Sequence, residues 1–148
     1  GTVDVGALET FAFRTDRFVV VTALDHPLAQ NVSAAFAQVL DYDLVGLDRA
    51  SSLQRFLAAR AGREGRRLRL RVQLRSFDAV CRLVECGVGV GVVPATTAAR
   101  AVCTMNLAIV ALTDDWAARE LKICVRSLNE RRPIARQLVE SLQEQPAP

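Results

Sequence analysis

Two short stretches carry the residue types that bind small anions, Arg49-Ala50-Ser51-Ser52 and Arg75-Ser76-Phe77. Each joins an apolar run of strand length to a run with helical spacing. Each therefore sets hydroxyls and unpaired backbone N–H groups at a helix start, where the peptide dipoles favour negative charge. Arg49 adds a guanidinium, whose planar fork matches a carboxylate. A serine at such a position also has the plainer role of capping its own helix, and the sequence leaves both roles open.

No other group assembles into a reactive set. The single histidine, His26, stands in an Asp25-His26-Pro27-Leu28 turn, where a structural hydrogen bond is expected rather than a general base. Asp114 and Asp115 before Trp116 read as a loop or helix start with solvated charge. No GxSxG, HExxH or GxxxxGK run occurs, and GVGVG lacks the spacing of a dinucleotide fingerprint. Cys81, Cys86, Cys103 and Cys124 lie in apolar segments without CxxC or Cys/His spacing, so reduced, buried thiols are expected rather than a disulfide frame or zinc site. Cys81 and Cys86 are five apart on one expected helix and point in different directions. The expectation is a binding protein, with no catalytic residues, metal or cofactor.

The elements that hold these groups centre on Leu83 to Pro94, LVECGVGVGVVP. Cys86 or Gly87 ends a helix, and Val88, Val90, Val92 and Val93 form a strand whose face is bared at Gly89 and Gly91, for a packed helix or a ligand. Before it, Thr2 to Leu8 and Asp16 to Leu24 read as strands joined by a connection at residues 9–14. The Phe-Val-Val-Val run of the second implies burial on both faces. Ser33 is expected to cap a helix running through Leu40. Asp43 to Leu47 is a strand, Leu53, Phe56, Leu57 and Ala61 mark a helix, and Gly62 and Gly65 bracket its exit. Leu68 to Arg75 alternates apolar and polar residues as an edge strand does. Ser76 caps the helix that enters the glycine strand. Ala95 to Val102 is expected to be helical, Leu107 to Leu112 and Glu120 to Arg126 extended, and Arg132 to Leu142 a closing helix with Ile134, Leu138, Val139 and Leu142 inward. Gln143 to Pro148 reads as a polar tail. The β-α-β-α-β-α order in the middle predicts a parallel sheet with crossover helices, which binds ligands beyond the carboxyl ends of its strands.

At 148 residues, 51% of them hydrophobic, the chain can bury a core. It has no apolar run of the roughly 18 residues a membrane span needs, so a soluble, cytoplasmic protein is expected. Net charge is +3, but residues 60–75 hold seven arginines and one glutamate, a local +6 against −3 elsewhere. Without interleaved aromatics this island reads as a solvated or partner-facing strand face rather than a nucleic-acid site.

In this order the features resemble the effector-binding domain of a LysR-type transcriptional regulator. The resemblance runs from VDVGAL through DRFVVVTALDHPLA, DLVGL, SFDAVCRLVECGVGVGVVP and DDWAARELKICVR to the final helix. The pair DHPLA and LVECGVGVGVVP is its most specific part. It implies an α/β fold like type 2 periplasmic binding proteins, with two α/β lobes joined by crossover strands and a small molecule in the cleft between them. Residues 25–97 would be the second lobe, and 1–24 with 98–148 the crossover strands and part of a first lobe that is incomplete and N-terminally truncated.

By the same resemblance, Arg49, Ala50, Ser51, Ser52, Ser76 and Phe77 would face the effector, and Glu9 would lie on the first lobe's rim. Arg49 and the helix starts favour a small organic acid, which Glu9 does not. Arg69, Arg71 and Arg75 would lie near a subunit interface, and the partners implied are the effector and a second copy, as dimer or tetramer. DNA would be read only through a winged helix-turn-helix preceding these residues, and no membrane contact is implied. The alternatives are a solute-binding protein of the same fold, an enzyme sharing it, or a cysteine-based redox sensor.

Overall fold

A computed structural model describes residues 9–125 and 133–144. By its contacts the chain divides into two compact units, one of residues 1–16 with 118–148 and one of residues 17–117. The expected strand at Thr2 to Leu8 lies outside the described residues.

The first unit contains the start of strand β1 (Glu9–Ala23), strand β7 (Ala118–Val125), which pairs with β1, and helix α5 (Pro133–Glu144). Residues 9–14 are thus part of a 15-residue strand and not a connection. Thr10, Phe11, Ala12 and Phe13 alternate exposed and half-buried, and the ladder partner that makes them a strand lies more than a hundred residues later. Arg119 and Asp16 form an ion pair at 3.0 Å across it. On α5, Val139 is buried, whereas Leu138, expected inward, is exposed.

The second unit is a mixed sheet. After β1 come a 3-10 turn (Pro27–Gln30), β2 (Ser33–Ala34), α1 (Phe36–Val39), β3 (Leu44–Leu47), α2 (Ser52–Arg63), β4 (Leu70–Leu74), α3 (Phe77–Glu85), β5 (Gly91–Pro94), α4 (Ala95–Ala101) and β6 (Leu107–Leu112). One path runs β2-β6-β1-β5, with β2 parallel to β6 and β1 antiparallel to both β5 and β6. β3 and β4 pair in parallel, and Val90, just before β5, bridges to β3 in parallel. The strands reached by crossovers therefore share one direction, and their carboxyl ends align. The purely parallel expectation fails only at β1, which enters without a crossover helix to set its direction.

β1 alternates between two cores. Phe18 and Val20 face one cluster with Phe36, Leu40, Leu44, Leu57 and Leu112, and Val19 and Val21 face the other with Val80, Val84, Val93 and Leu107. Both faces of the Phe-Val-Val-Val run are buried, as its composition requires. Gly87 closes α3 with φ +74°, after Cys86 at the C-cap. A Cβ at Gly91 would stand 2.9 Å from Val80 Cγ1, and one at Gly89 would fall on the backbone carbonyl of Asp43. The glycines admit α3 and a neighbouring strand, not a ligand.

Three local readings are corrected. Ser33 sits in β2 rather than at a helix start, and the first amide of the one-turn α1, that of Phe36, donates to Asp114 Oδ2 at 2.7 Å. Asp114 is therefore a helix cap rather than a merely solvated charge, and Trp116 behind it packs edge-to-face on Phe36 and Phe56. Of the four free thiols only Cys81 is buried; Cys86, Cys103 and Cys124 are exposed. Burial, with the Asp78 charge adding to it, pushes the Cys81 thiol above its ordinary pKa. Among the described residues no helix is long and apolar enough to cross a membrane, and no group of side chains could hold a metal.

Candidate functional site

The site is built where β3, β4 and β5 end. After a register shift between Leu44 and Val45, β3 and β4 stay in register to Leu47 opposite Leu74, and the Asp48 N–H donates to the Leu74 carbonyl at 2.8 Å. The stretches 49–52 and 75–77, 25 residues apart in sequence, are thereby set side by side. α2 and α3 both start there, each pointing its open N–H groups at the same edge.

The two starts are used differently. At α3 the Ser76 hydroxyl accepts from the Ala79 N–H at 3.2 Å, so it caps its helix. At α2 Ser51 occupies the cap position without a side-chain cap bond. Its loop is shaped instead by Asp48, whose carboxylate accepts the Ser51 N–H at 3.1 Å. That leaves the Ser51 hydroxyl, the exposed Ser52 hydroxyl and the exposed Arg49 guanidinium without partners among the described residues. Ala50 is exposed in the loop, and Phe77 is half-buried against both cores. Glu9 opens β1, and its side chain lies outside the described residues.

Gln54 is a supporting residue that the sequence reading missed. It is buried, and its Oε1 accepts the Leu47 N–H at 3.1 Å, tying the first turn of α2 to the end of β3. Gly46 makes the room, since a Cβ there would come within 2.5 Å of that oxygen. A polar residue beside Leu53 on the inward face of α2 was the available signal. α4 starts at Ala95 as expected, but its place on this edge was not read: Pro94, ending β5, occupies its N-cap position, with Thr96 and Thr97 in the first turn.

The arginine strand is placed elsewhere, at the sheet's β4 edge. Arg69 pairs with Asp43 at 2.9 Å and donates to the Asp41 carbonyl, and Arg71 reaches Asp43 at 3.7 Å. Arg66 bonds the Ala37 and Leu40 carbonyls and the Asp41 carboxylate at the end of α1. Arg75 is exposed beside Ser76. Much of the basic island therefore closes on the chain's own carboxylates and carbonyls. His26 is structural, as expected: its Nδ1 accepts the Leu28 N–H at 3.1 Å, and its ring meets Tyr42 edge-on at 4.7 Å.

Residues 1–147 match the family described as LysR substrate binding domain. Among solved structures, the effector-binding domain of QuiR in complex with shikimate aligns with TM-score 0.74 at 17% identity, over 97% of this chain and 67% of that one. The regulatory domain of Synechocystis PCC6803 CcmR in complex with 2-PG aligns with TM-score 0.83 at 18% identity, over 97% and 69%. A mutant of OxyR from Corynebacterium glutamicum aligns with TM-score 0.76 at 27% identity, over 95% of this chain and 44% of that one. No curated protein matches the chain.

Proposed function

The chain belongs to the LysR substrate-binding domain family, with its type 2 periplasmic-binding-protein-like α/β fold, and on that premise we propose that it is the effector-sensing part of a LysR-type transcription regulator. Its effector is a small organic acid held at the carboxyl ends of β3 and β4. The observation that carries this reading is the pair of helix starts brought together there, with Arg49, Ser51 and Ser52 uncommitted. Arg49 takes the carboxylate in a bidentate bond, while the amides and hydroxyls of Ala50–Ser52 complete its shell. Ser76, whose oxygen already accepts the Ala79 amide, retains its proton to donate, and Phe77 offers an apolar wall. Support also comes from QuiR and CcmR, structural neighbours solved with shikimate and with 2-PG.

In this reading the site binds rather than reacts, since its groups are those that hold an anion. In the whole regulator, binding would shift the balance between two arrangements of the domain that differ in affinity for the acid. DNA reading belongs to a helix-turn-helix outside these residues, and self-association uses the β4 edge with Arg69, Arg71 and Arg75. The regulator works in the cytoplasm. The redox-sensor reading gains nothing from Cys81, whose burial and raised pKa disfavour the reactive thiolate.

The test is thermal denaturation against a panel of small organic acids that includes shikimate. An acid at 100 times its dissociation constant stabilises by about 2.7 kcal/mol, a rise of several degrees. The rise is expected to vanish in Arg49→Gln and to shrink in Ser51→Ala/Ser52→Ala. An acid-induced rise that survives both variants would overturn the assignment.

A further inference from the structure

We infer that the unit of residues 17–117 carries a second ligand site, which shares no lining residue with the β3–β4 edge and takes a free amino acid with an aromatic or apolar side chain. It is an open groove of about 700 Å³ beside the last turns of α2, within the size range of small-molecule sites. Its walls include Phe36 and Trp116, Arg60, Arg63 and Glu64 from the end of α2, and Asp115.

The charges in this groove are arranged in an uncommon way. The Arg60 guanidinium lies over two rings, 4.9 Å from the Phe56 centroid and 5.6 Å from that of Trp116. The rings are themselves fixed, because Trp116 meets Phe36 at 88° and Phe56 at 69°. The guanidinium is within cation–π reach of both rings, and none of its N–H donors finds an acceptor among the described residues. Arg63, Glu64 and Asp115 also have no ionic partner among the described residues, whereas Asp114 is occupied by the Phe36 amide.

The groove therefore offers two guanidiniums, an indole wall and three carboxylates, of which Asp114 already holds the Phe36 amide. A simple anion would meet Glu64 and Asp115, and a simple cation would meet Arg60 and Arg63. A zwitterion with an apolar body satisfies both sets, its carboxylate on Arg60, its ammonium on the carboxylates and its side chain against Trp116. The strand-end site has no such mixture: it presents Arg49, hydroxyls and amides.

Trp116 is the only tryptophan in the chain, so its emission reports on this groove. L-Phenylalanine, 3-phenylpropionate and phenethylamine are titrated into the protein, with excitation beyond the absorption of Tyr42. Phenylalanine is expected to give a saturable change, and each analogue, lacking one charge, to bind about tenfold more weakly. Arg60→Gln should abolish the response and Arg49→Gln leave it intact. Thermal melts check that Arg60→Gln folds; Asp115→Asn, at an exposed position, is the second variant, expected to weaken phenylalanine but not phenylpropionate. No saturable change with phenylalanine, equal binding by either analogue, or a response lost with Arg49 rather than Arg60 would overturn the proposal.

Discussion

Asp43, at the entrance to β3, meets the chain on two sides in two different ways. Toward β5 its carbonyl accepts the Val90 N–H at 2.9 Å, and Gly89 lies so close to that carbonyl that a side chain has no room. Toward β4 its carboxylate holds Arg69 and Arg71 in the open, where both arginine side chains are more than half exposed. The first side is backbone against backbone within the packed sheet, and the second is charge against charge in water. Packing forbids small changes because neighbours cannot yield, whereas solvent screens and replaces a lost ion pair. The strand with no charge is thus expected to be the less tolerant of the two.

The sharpest challenge to that contrast is one methyl group. Gly89→Ala should destabilise the fold by about 3 kcal/mol, the upper end for overpacking, lowering the melting temperature by on the order of 10 °C. Gly91→Ala presses on the Val80 methyl instead and should cost about 1–2 kcal/mol, part of it recovered in the double variant with Val80→Ala. A Gly89→Ala protein that melts like the parent would break the comparison.

Helix starts come next in size. Ser76→Ala removes an observed cap and should cost about 1 kcal/mol in denaturant unfolding. Ser51→Ala removes no cap bond and should stay within about 0.5 kcal/mol, the range of neutral surface changes. Equal losses would mean that the Ser51 hydroxyl is committed after all.

On the arginine side, Arg69→Gln and Arg71→Gln should each cost less than about 1 kcal/mol, and the loss should disappear in 1 M salt. A larger, salt-insensitive loss would move this strand into the class of its glycine counterpart.

The smallest effect is at His26. Burial, partly offset by the Asp25 carboxylate, lowers its pKa below the ordinary value. A lowered pKa means the folded protein favours the neutral ring, whose Nδ1 accepts the Leu28 amide. Its contribution is therefore present above about pH 6.5, the ordinary histidine value, and is lost as pH falls below that. The melting-temperature difference between the parent and His26→Asn should narrow from pH 8 to pH 5. A difference that widens would reverse the sign.

The glycine strand, the helix it follows and the Ser76 cap were legible because each depends on residues close in sequence. The valine run gave a buried strand, although it begins at Gly91 rather than Val88, with Val90 bridging to β3 just before it, and Gly87 after an apolar helix marks that helix's end. The binding edge was legible as two separate stretches. What made them one place was the parallel register of β3 and β4, together with Gln54, whose role depends on the space left at Gly46. The first part of β1 and the cap of α1 were misread for one reason: the partners, β7 and Asp114, arrive from far along the chain. Solvent exposure of three of the four cysteines was equally invisible, since apolar neighbours in sequence do not fix which face a helix or strand turns inward.

By itself, then, the sequence determined the α/β class, the order of most elements and the residues at two helix starts, because periodicity, turn chemistry and capping act over a few residues. Tertiary structure alone decided that those starts adjoin, that the arginines close on Asp41 and Asp43, and that Arg60 lies across Phe56 and Trp116. Except for Arg60 and Phe56, which are one turn apart on α2, such pairings join residues roughly 20 to 60 positions apart, and the chain can bring them together only after burial has set the sheet order.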